Sequence, residues 1–323
     1  MKLVRVVHVL ALAAAAMVAC AAAAAYPEKP IRLILPQPPG GAGDVIGRML
    51  ADHLKTALGQ PIVAENRAGA AGLIAAETVA RAAPDGYTLL LGGGSTHGAN
   101  SALARKLPYD PVKDFAPVCL LVRAEWGLFV HPSFPAKTIG ELIALARAKP
   151  GTVNFASSGL GGASQLIMEQ FMAMAGIELV HIPYKGSVAG QIGVISNDSQ
   201  LVFDGIGNAG GHAKAGKLRM MAVASVRRSP LAPDVPTIAE SGVPGFEAST
   251  AFSVYAPAAT AKDVVTILNR SLVNILKQPE FRQWLTSQAY EIVGSTPEQA
   301  AEDVVREIRK WQQLARERNL KID

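Results

Sequence analysis

An α/β fold with room for two packed domains is predicted by three features of the chain. Short β-rich runs alternate with helical periodicity. Several of those runs end in a loop of glycine and serine that opens a helix. The 323 residues, 50% of them hydrophobic, are enough for two cores. A charged fraction of 18%, 30 glycines and 21 prolines exclude a disordered or collagen-like chain.

The first 25 residues predict the compartment. Lys2 and Arg5 precede an apolar run from Val9 to Ala25 that ends in alanines before Tyr26-Pro27, the pattern of a cleavable secretory signal. The run is too alanine-rich, and too bare of basic residues on its far side, for a membrane anchor. Met17-Val-Ala-Cys20 gives a lesser alternative, lipid anchoring at Cys20. Cys119, in the apolar run Val118 to Val122, is then left without an intramolecular disulfide partner and reads as core.

The elements follow in order. Ile31 to Leu35 is the first strand, Pro36 to Gly43 its loop, and Asp44 to Leu58 a helix. Ile62 to Ala64 reads as strand, Gly72 to Ala83 as helix, and Tyr87 to Leu91 as a strand running into Gly92-Gly-Gly-Ser-Thr-His97. After a helix from Thr138 to Ala148, Val153 to Ala156 is strand, Ser157 to Ser164 loop and Gln165 to Ala175 helix, with Met168, Met172 and Met174 on its core face. Glu178 to Ile182 feeds Pro183-Tyr-Lys-Gly-Ser187 and a helix start, Leu201 to Phe203 feeds Asp204-Gly-Ile-Gly207, and Leu218 to Ala224 is strand. Three C-terminal helices are predicted at Lys262 to Lys277, Pro279 to Gln288 and Pro297 to Arg318.

Such loops gather at the carboxyl edge of an open sheet, where ligands bind. Helix-start amides there suit a carboxylate or phosphate, each charge-dipole contact contributing roughly 0.3 to 1 kcal/mol. Ser95, Ser157, Ser158, Ser164 and Ser187 lie in these loops and serve either as N-caps or as ligand contacts. Of six histidines only His97 is placed at a ligand edge, and none has metal-ligand spacing, so no metal is expected. HExxH, CxxC, a P-loop lysine and GxSxG are missing, and Gly41-Ala-Gly43 is too distorted a dinucleotide fingerprint to predict a cofactor. The net charge of +5, or +3 once Lys2 and Arg5 leave with the signal, is too dilute for a nucleic-acid partner.

A longer set of motifs carries a family resemblance. Tyr26-Pro-Glu-Lys-Pro-Ile31, Pro38-Pro-Gly-Gly41 with Asp44, Glu65-Asn-Arg67, Ala83-Pro-Asp-Gly-Tyr-Thr-Leu89 and Leu107-Pro-Tyr-Asp-Pro111 come first. Asn154-Phe-Ala-Ser-Ser-Gly159, His181-Ile-Pro-Tyr-Lys-Gly186, Phe203-Asp204, Asp234-Val-Pro-Thr237 and Gly242-Val-Pro-Gly245 follow. In this order and spacing the chain resembles the Bug family of periplasmic solute-binding proteins, receptors of tripartite tricarboxylate transporters.

The resemblance implies a bilobed, type II periplasmic-binding-protein-like fold: two α/β domains with a ligand cleft between them, joined by segments crossing near 120–130 and 220–230. The expected boundaries are 1–25 signal, 26–125 plus 226–323 domain I, and 126–225 domain II. It implies a non-catalytic receptor, without cofactor, that holds a di- or tricarboxylate, aromatic acid or acidic amino acid and delivers it, as a monomer, to membrane transporter subunits. Alternatives are a sensory module for a membrane signalling partner and an exported hydrolase on the same scaffold. Carried over by position, one wall is Pro38, Pro39, Gly40 and Gly41 with Ser95, Thr96 and His97. The other is Ser157, Ser158, Gly159, Gly162, Ser164, Tyr184, Lys185, Gly186 and Asp204, the last receiving an amino or hydroxyl group or capping the next helix.

The sequence departs from the family pattern at Gln37, where Phe or Tyr is common, and at Gln165, where His is frequent. Ser196-Asn-Asp-Ser-Gln200 replaces a Gly-Gly-Gln-Val-Asp turn. Gly205 to Gly211 replaces a proline-bearing segment, and the glycines there predict a looser second wall.

Overall fold

The computed structural model describes residues 26–103 and 106–320. The expected signal segment, with Lys2, Arg5 and Cys20, lies outside the described residues. The mixed α/β fold predicted from the alternation is present.

The first sheet half is built from β1 (Ile31–Leu35), β2 (Ile62–Asn66) and β3 (Thr88–Gly93), with α1 (Ala42–Leu58) and α2 (Leu73–Ala80) between them. β1 pairs in parallel with both β2 and β3, the crossover pattern the sequence predicted. β3 runs into a π-helical turn at Gly94–Ala99 and then α3 (Asn100–Leu103). Ile31, Leu33, Leu35, Leu89 and Leu91 are buried against Ile46, Leu50 and Leu54 of α1, so successive strand ends are fixed at one edge by a common core.

β4 (Phe115–Val130) is a single strand of 16 residues. Its first part, Phe115 to Glu125, pairs antiparallel with β9 (Ser249–Pro257), and its last part, Trp126 to Val130, pairs antiparallel with β7 (Leu201–Gly205). The change of partner falls between Glu125 and Trp126. β8 (Arg219–Val223) pairs with the last part and β10 (Tyr290–Ile292) with the first. Cys119 is a buried free thiol on this strand, and burial pushes it up to about 12.

The second half alternates α4 (Ile139–Ala148), β5 (Asn154–Ser157), α5 (Ala163–Ala175), β6 (Val180–Pro183), α6 (Ser187–Ile195), β7 and α7 (Ile206–Lys214). β5 pairs in parallel with β6 and β7, giving the overall strand order β2-β1-β3-β9-β4-β7-β5-β6. Phe171, Phe203 and Phe246 pack with ring centroids 6.0 Å apart beneath α5. Met168 and Met172 are core, as expected, whereas Met174 faces solvent.

The chain returns from β8 through residues 224–248 to β9, then forms α8 (Lys262–Lys277), α9 (Pro279–Ser287), β10 and α10 (Pro297–Glu317). α10 starts with a Thr296/Gln299 capping box and buries Ala300, Val304, Trp311 and Leu314. Trp311 lies against Gly98, so the C-terminal helix supports the loop that follows β3.

The glycine-rich run after Asp204 is no loose wall: Ile206 to Lys214 form a helix. Ile206 and Ala209 are buried, and Gly207 sits so close to the Gln288 carbonyl that only a residue without a Cβ fits. Close packing supplies the order that glycine's propensity lacks.

Candidate functional site

The carboxyl ends of β1, β3, β5, β6 and β7 carry every candidate residue. At the end of β1, Pro38, Pro39 and Gly40 are exposed and Gly41 is buried at the start of α1. Asp44 fastens this loop: its carboxylate accepts from the Gly40 amide at 3.0 Å, Arg48 Nε at 2.9 Å and Asn66 Nδ2 at 2.8 Å. Burial works to raise the Asp44 carboxyl, but Arg48, the Gly40 amide and Asn66 outweigh it and hold it below the usual carboxylate range. Gln37 completes the fastening, since its Oε1 accepts from the Gly43 amide at 2.6 Å.

After β3, the π turn presents Ser95 half-buried, its hydroxyl making no hydrogen bond among the described residues. Thr96 and His97 turn the other way. Thr96 Oγ1 accepts from the Gly93 amide at 2.9 Å and meets His97 Nδ1 at 3.0 Å, and Tyr109 donates to the Thr96 carbonyl at 2.5 Å. His97 is buried, with its ring stacked 3.8 Å from that of Tyr255 and edge-on to Phe115. Burial pushes it down to about 3, so it is neutral at physiological pH. The side chain placed at a ligand edge by its loop position is therefore an interior ring; only its backbone belongs to the loop.

The facing loop is zipped together by its own groups. Ser157 Oγ lies 2.6 Å from His181 Nε2 and accepts from the Gly159 amide at 3.1 Å, while Ser164 Oγ accepts from the Ser158 amide at 2.8 Å and lies 3.0 Å from Ser158 Oγ. The Tyr184 and Gly186 amides donate to the Ser157 and Ser158 carbonyls, both at 3.1 Å, which ties the β6 loop to the β5 loop. Gly159 has φ +126° and faces the Tyr184 carbonyl, a position no other residue occupies without strain. Gly162 lies under Ser158 Oγ, where a Cβ would come within 2.5 Å of it. Gln165 repeats the role of Gln37, its Oε1 accepting from the Gly161 amide at 2.8 Å.

The Tyr184 ring packs on Gly193 of α6 with its hydroxyl 3.3 Å from Ser199 Oγ, so it braces its own half, whereas Lys185 is exposed. Asp204 is buried. Its carboxylate accepts from Gln191 Nε2 at 2.7 Å, the Gly205 amide at 2.7 Å and Asn208 Nδ2 at 3.0 Å, at the start of α7. Burial holds it above the usual carboxylate range despite these donors.

The two groups of loops face each other. A Cβ on Gly186 would lie 3.4 Å from Pro38 Cγ, and α5 touches the π turn. Ser157 with His181 is a serine–histidine pair that sequence spacing did not reveal; parallel pairing of β5 with β6 sets His181 beside Phe155, two residues before Ser157 on the same face of the sheet. Ser157 is fully buried, and its oxygen is engaged in holding the loop. Burial pushes His181 down to about 4, and its ring is stacked on Phe155 at 4.7 Å. The arrangement suits a loop clamp, with glycine-rich backbone from two sides as the surface offered to a ligand.

Comparison with known proteins follows the same lines. A family profile described as "Tripartite tricarboxylate transporter family receptor" matches residues 46–320. The chain is 35% identical to Protein BugT of Bordetella pertussis over 325 residues, 100% of each chain. It is similar to an R. palustris protein solved with adipate, at 33% identity and a TM-score of 0.88, covering 92% of this chain and 99% of that one. MatC from Rhodopseudomonas palustris, solved with bound malate, matches at 32% identity and a TM-score of 0.84, covering 90% of this chain and 99% of that one.

Proposed function

Because the chain belongs to the tripartite tricarboxylate transporter receptor family, a family of periplasmic solute-binding proteins, we propose that it captures a small carboxylate without transforming it and hands it to membrane transporter subunits. The observation that carries the reading is the approach of two glycine-rich loop systems, Pro38–Gly41 and Ser157–Gly159 with Gly186, across a short gap. Neither system brings a lysine or arginine into a buried position; the helix starts beside them, at Ala42, Ala163 and Ser187, supply backbone amides without intrahelical partners, the chemistry of carboxylate capture by helix starts and nests. Relatives solved with adipate and malate support a dicarboxylate.

In this reading the lobes are 26–125 with 226–323, and 126–225, hinged where β4 changes partner at Glu125 and Trp126. Pro38 to Gly41 and Ser95 form one wall; Ser157 to Gly159, Gly162, Ser164, Lys185 and Gly186 form the other, with Asp204 behind it. The receptor works as a monomer, exported by residues 1–25, and closure around the ligand marks the loaded state.

A thermal-shift screen of the purified chain against malate, adipate, citrate, benzoate and glutamate tests the proposal. A ligand at 100 times its dissociation constant adds roughly 2.7 kcal/mol of stability. No shift with any of them, together with turnover of an ester or amide, would transfer the fold to the hydrolase reading.

A further inference from the structure

We propose that the side-chain amides of Gln37 and Gln165 select the ligand, each offering an N–H donor to an oxygen that the ligand carries beyond its anchoring carboxylate; the proposal rests on the receptor reading above. The two glutamines lie on opposite walls and have the same local geometry. Gln37 Oε1 accepts from the Gly43 amide at 2.6 Å, and Gln165 Oε1 accepts from the Gly161 amide at 2.8 Å. This fixes the orientation of each carboxamide, because a flipped group would set its NH₂ against a backbone N–H. The nitrogen is then turned away from the loop, and neither Nε2 donates to any group among the described residues. Both side chains are half-buried, and neither nitrogen is sealed from solvent.

The position of Gln37 is held from three sides. Its carbonyl accepts from Asn66 Nδ2 at 2.9 Å, its Oε1 is tied to α1, and a Cβ on Gly43 would come within 2.7 Å of that oxygen. The bare Gly43 therefore lets the carboxamide lie across the helix start. Pro38, the next residue, faces Gly186 across the gap. Two preorganised donors favour a ligand with extra oxygen, a hydroxy-dicarboxylate, over a plain hydrocarbon diacid. A hydrocarbon chain in the same place would leave both N–H groups unpaired in a desolvated cleft.

Matched ligands that differ by one hydroxyl test this: malate against succinate, and 2-hydroxyglutarate against glutarate, titrated calorimetrically. Gln37→Met and Gln165→Met remove the outward donor and, unlike Glu, offer the ligand hydroxyl neither a new acceptor nor an added charge. The native chain is expected to prefer the hydroxylated member by about tenfold or more, and at least one variant to bring the ratio close to one. Where a Met variant binds neither ligand, Gln→Leu at the same position supplies the ratio. A native ratio near one, or a native ratio preserved by substitution at both positions, overturns the proposal while leaving carboxylate capture intact. Failure of every carboxylate to bind the native chain overturns the receptor reading itself.

Discussion

Two glycines of α7, four residues apart, should respond to the same substitution with opposite signs. Gly207→Ala places a methyl group against the Gln288 carbonyl, a backbone atom of the segment between α9 and β10 that has no rotamer to escape into. Overpacking of this kind costs about 1–3 kcal/mol, and the gain of up to about 1 kcal/mol in helix propensity offsets only part of it. Gly211→Ala meets nothing within 4 Å and keeps the whole propensity gain. Taking a net loss of about 2 kcal/mol for the first and a gain of about 0.5–1 kcal/mol for the second, melting should fall by roughly 4 °C and rise by roughly 1–2 °C. Differential scanning calorimetry of both variants beside the native chain reads the two shifts. If Gly207→Ala melts at or above the native temperature, α7 is not held by close packing against Gln288.

Asp204→Ala strips the acceptor from three donors at the start of α7, Gln191, Asn208 and the Gly205 amide. After allowing for relief of the buried carboxylate, the loss should be about 3 kcal/mol; Asp204→Asn should cost about 1 kcal/mol, because Gln191 can turn its own oxygen toward the new amide. Equal melting temperatures for the two variants would contradict this assignment. His97, pushed down to about 3 in the fold, takes up its proton on unfolding at any pH below about 6.5. Its contribution to stability is therefore fully present above that value and is lost as the pH falls toward 3, by at most about 1.4 kcal/mol per pH unit. His97→Phe, which keeps a ring against Tyr255, should flatten the acid limb of a plot of stability against pH by one proton, and an unchanged slope would show that the buried ring is not the group responsible.

The strand ends were legible because they repeat one grammar: Ile31 to Leu35, Tyr87 to Leu91 and Val153 to Ala156 are short β-rich runs that lead into loops of proline, serine and glycine. β4 was not legible as a strand. Pro117, Arg123, Glu125 and Gly127 interrupt its apolar pattern, and only the stretch around Cys119 read as buried. Its 16 residues are extended because two different sets of partners pair with its two parts, a fact of topology rather than of local sequence. β9, rich in Ala, Ser and Thr, gave no period-2 signal for a similar reason: its burial comes from lying between β3 and β4. The Gly-rich run after Asp204 read as flexible because propensity counts only the helix itself, whereas Gly207 is required by a neighbour some 80 residues away.

The loops proposed as the site were read from composition and from the resemblance, but their side chains are apportioned differently by the fold. His97 and Tyr184 are braces, packed on Tyr255 and Gly193. Ser157, Ser158 and Ser164 bond one another's loop, which leaves exposed Lys185, half-buried Ser95 and the backbone as the surfaces turned outward. Gln37 and Gln165, noted in the sequence only as departures, turn out to fasten loop amides on the two walls. A hydrogen bond from Gly43 to Gln37 depends on a loop closing back over six residues, and no periodicity reports it.

The most direct test of carboxylate capture is a crystal structure of the chain grown with malate or adipate. Carboxylate capture predicts one carboxylate between the two loop systems, one end within hydrogen-bond distance of first-turn amides of α5 or α6 and the molecule also touching Pro38–Gly41. A carboxylate bound away from both loop systems, or loops that stay empty at ligand concentrations that raise the melting temperature, would contradict it.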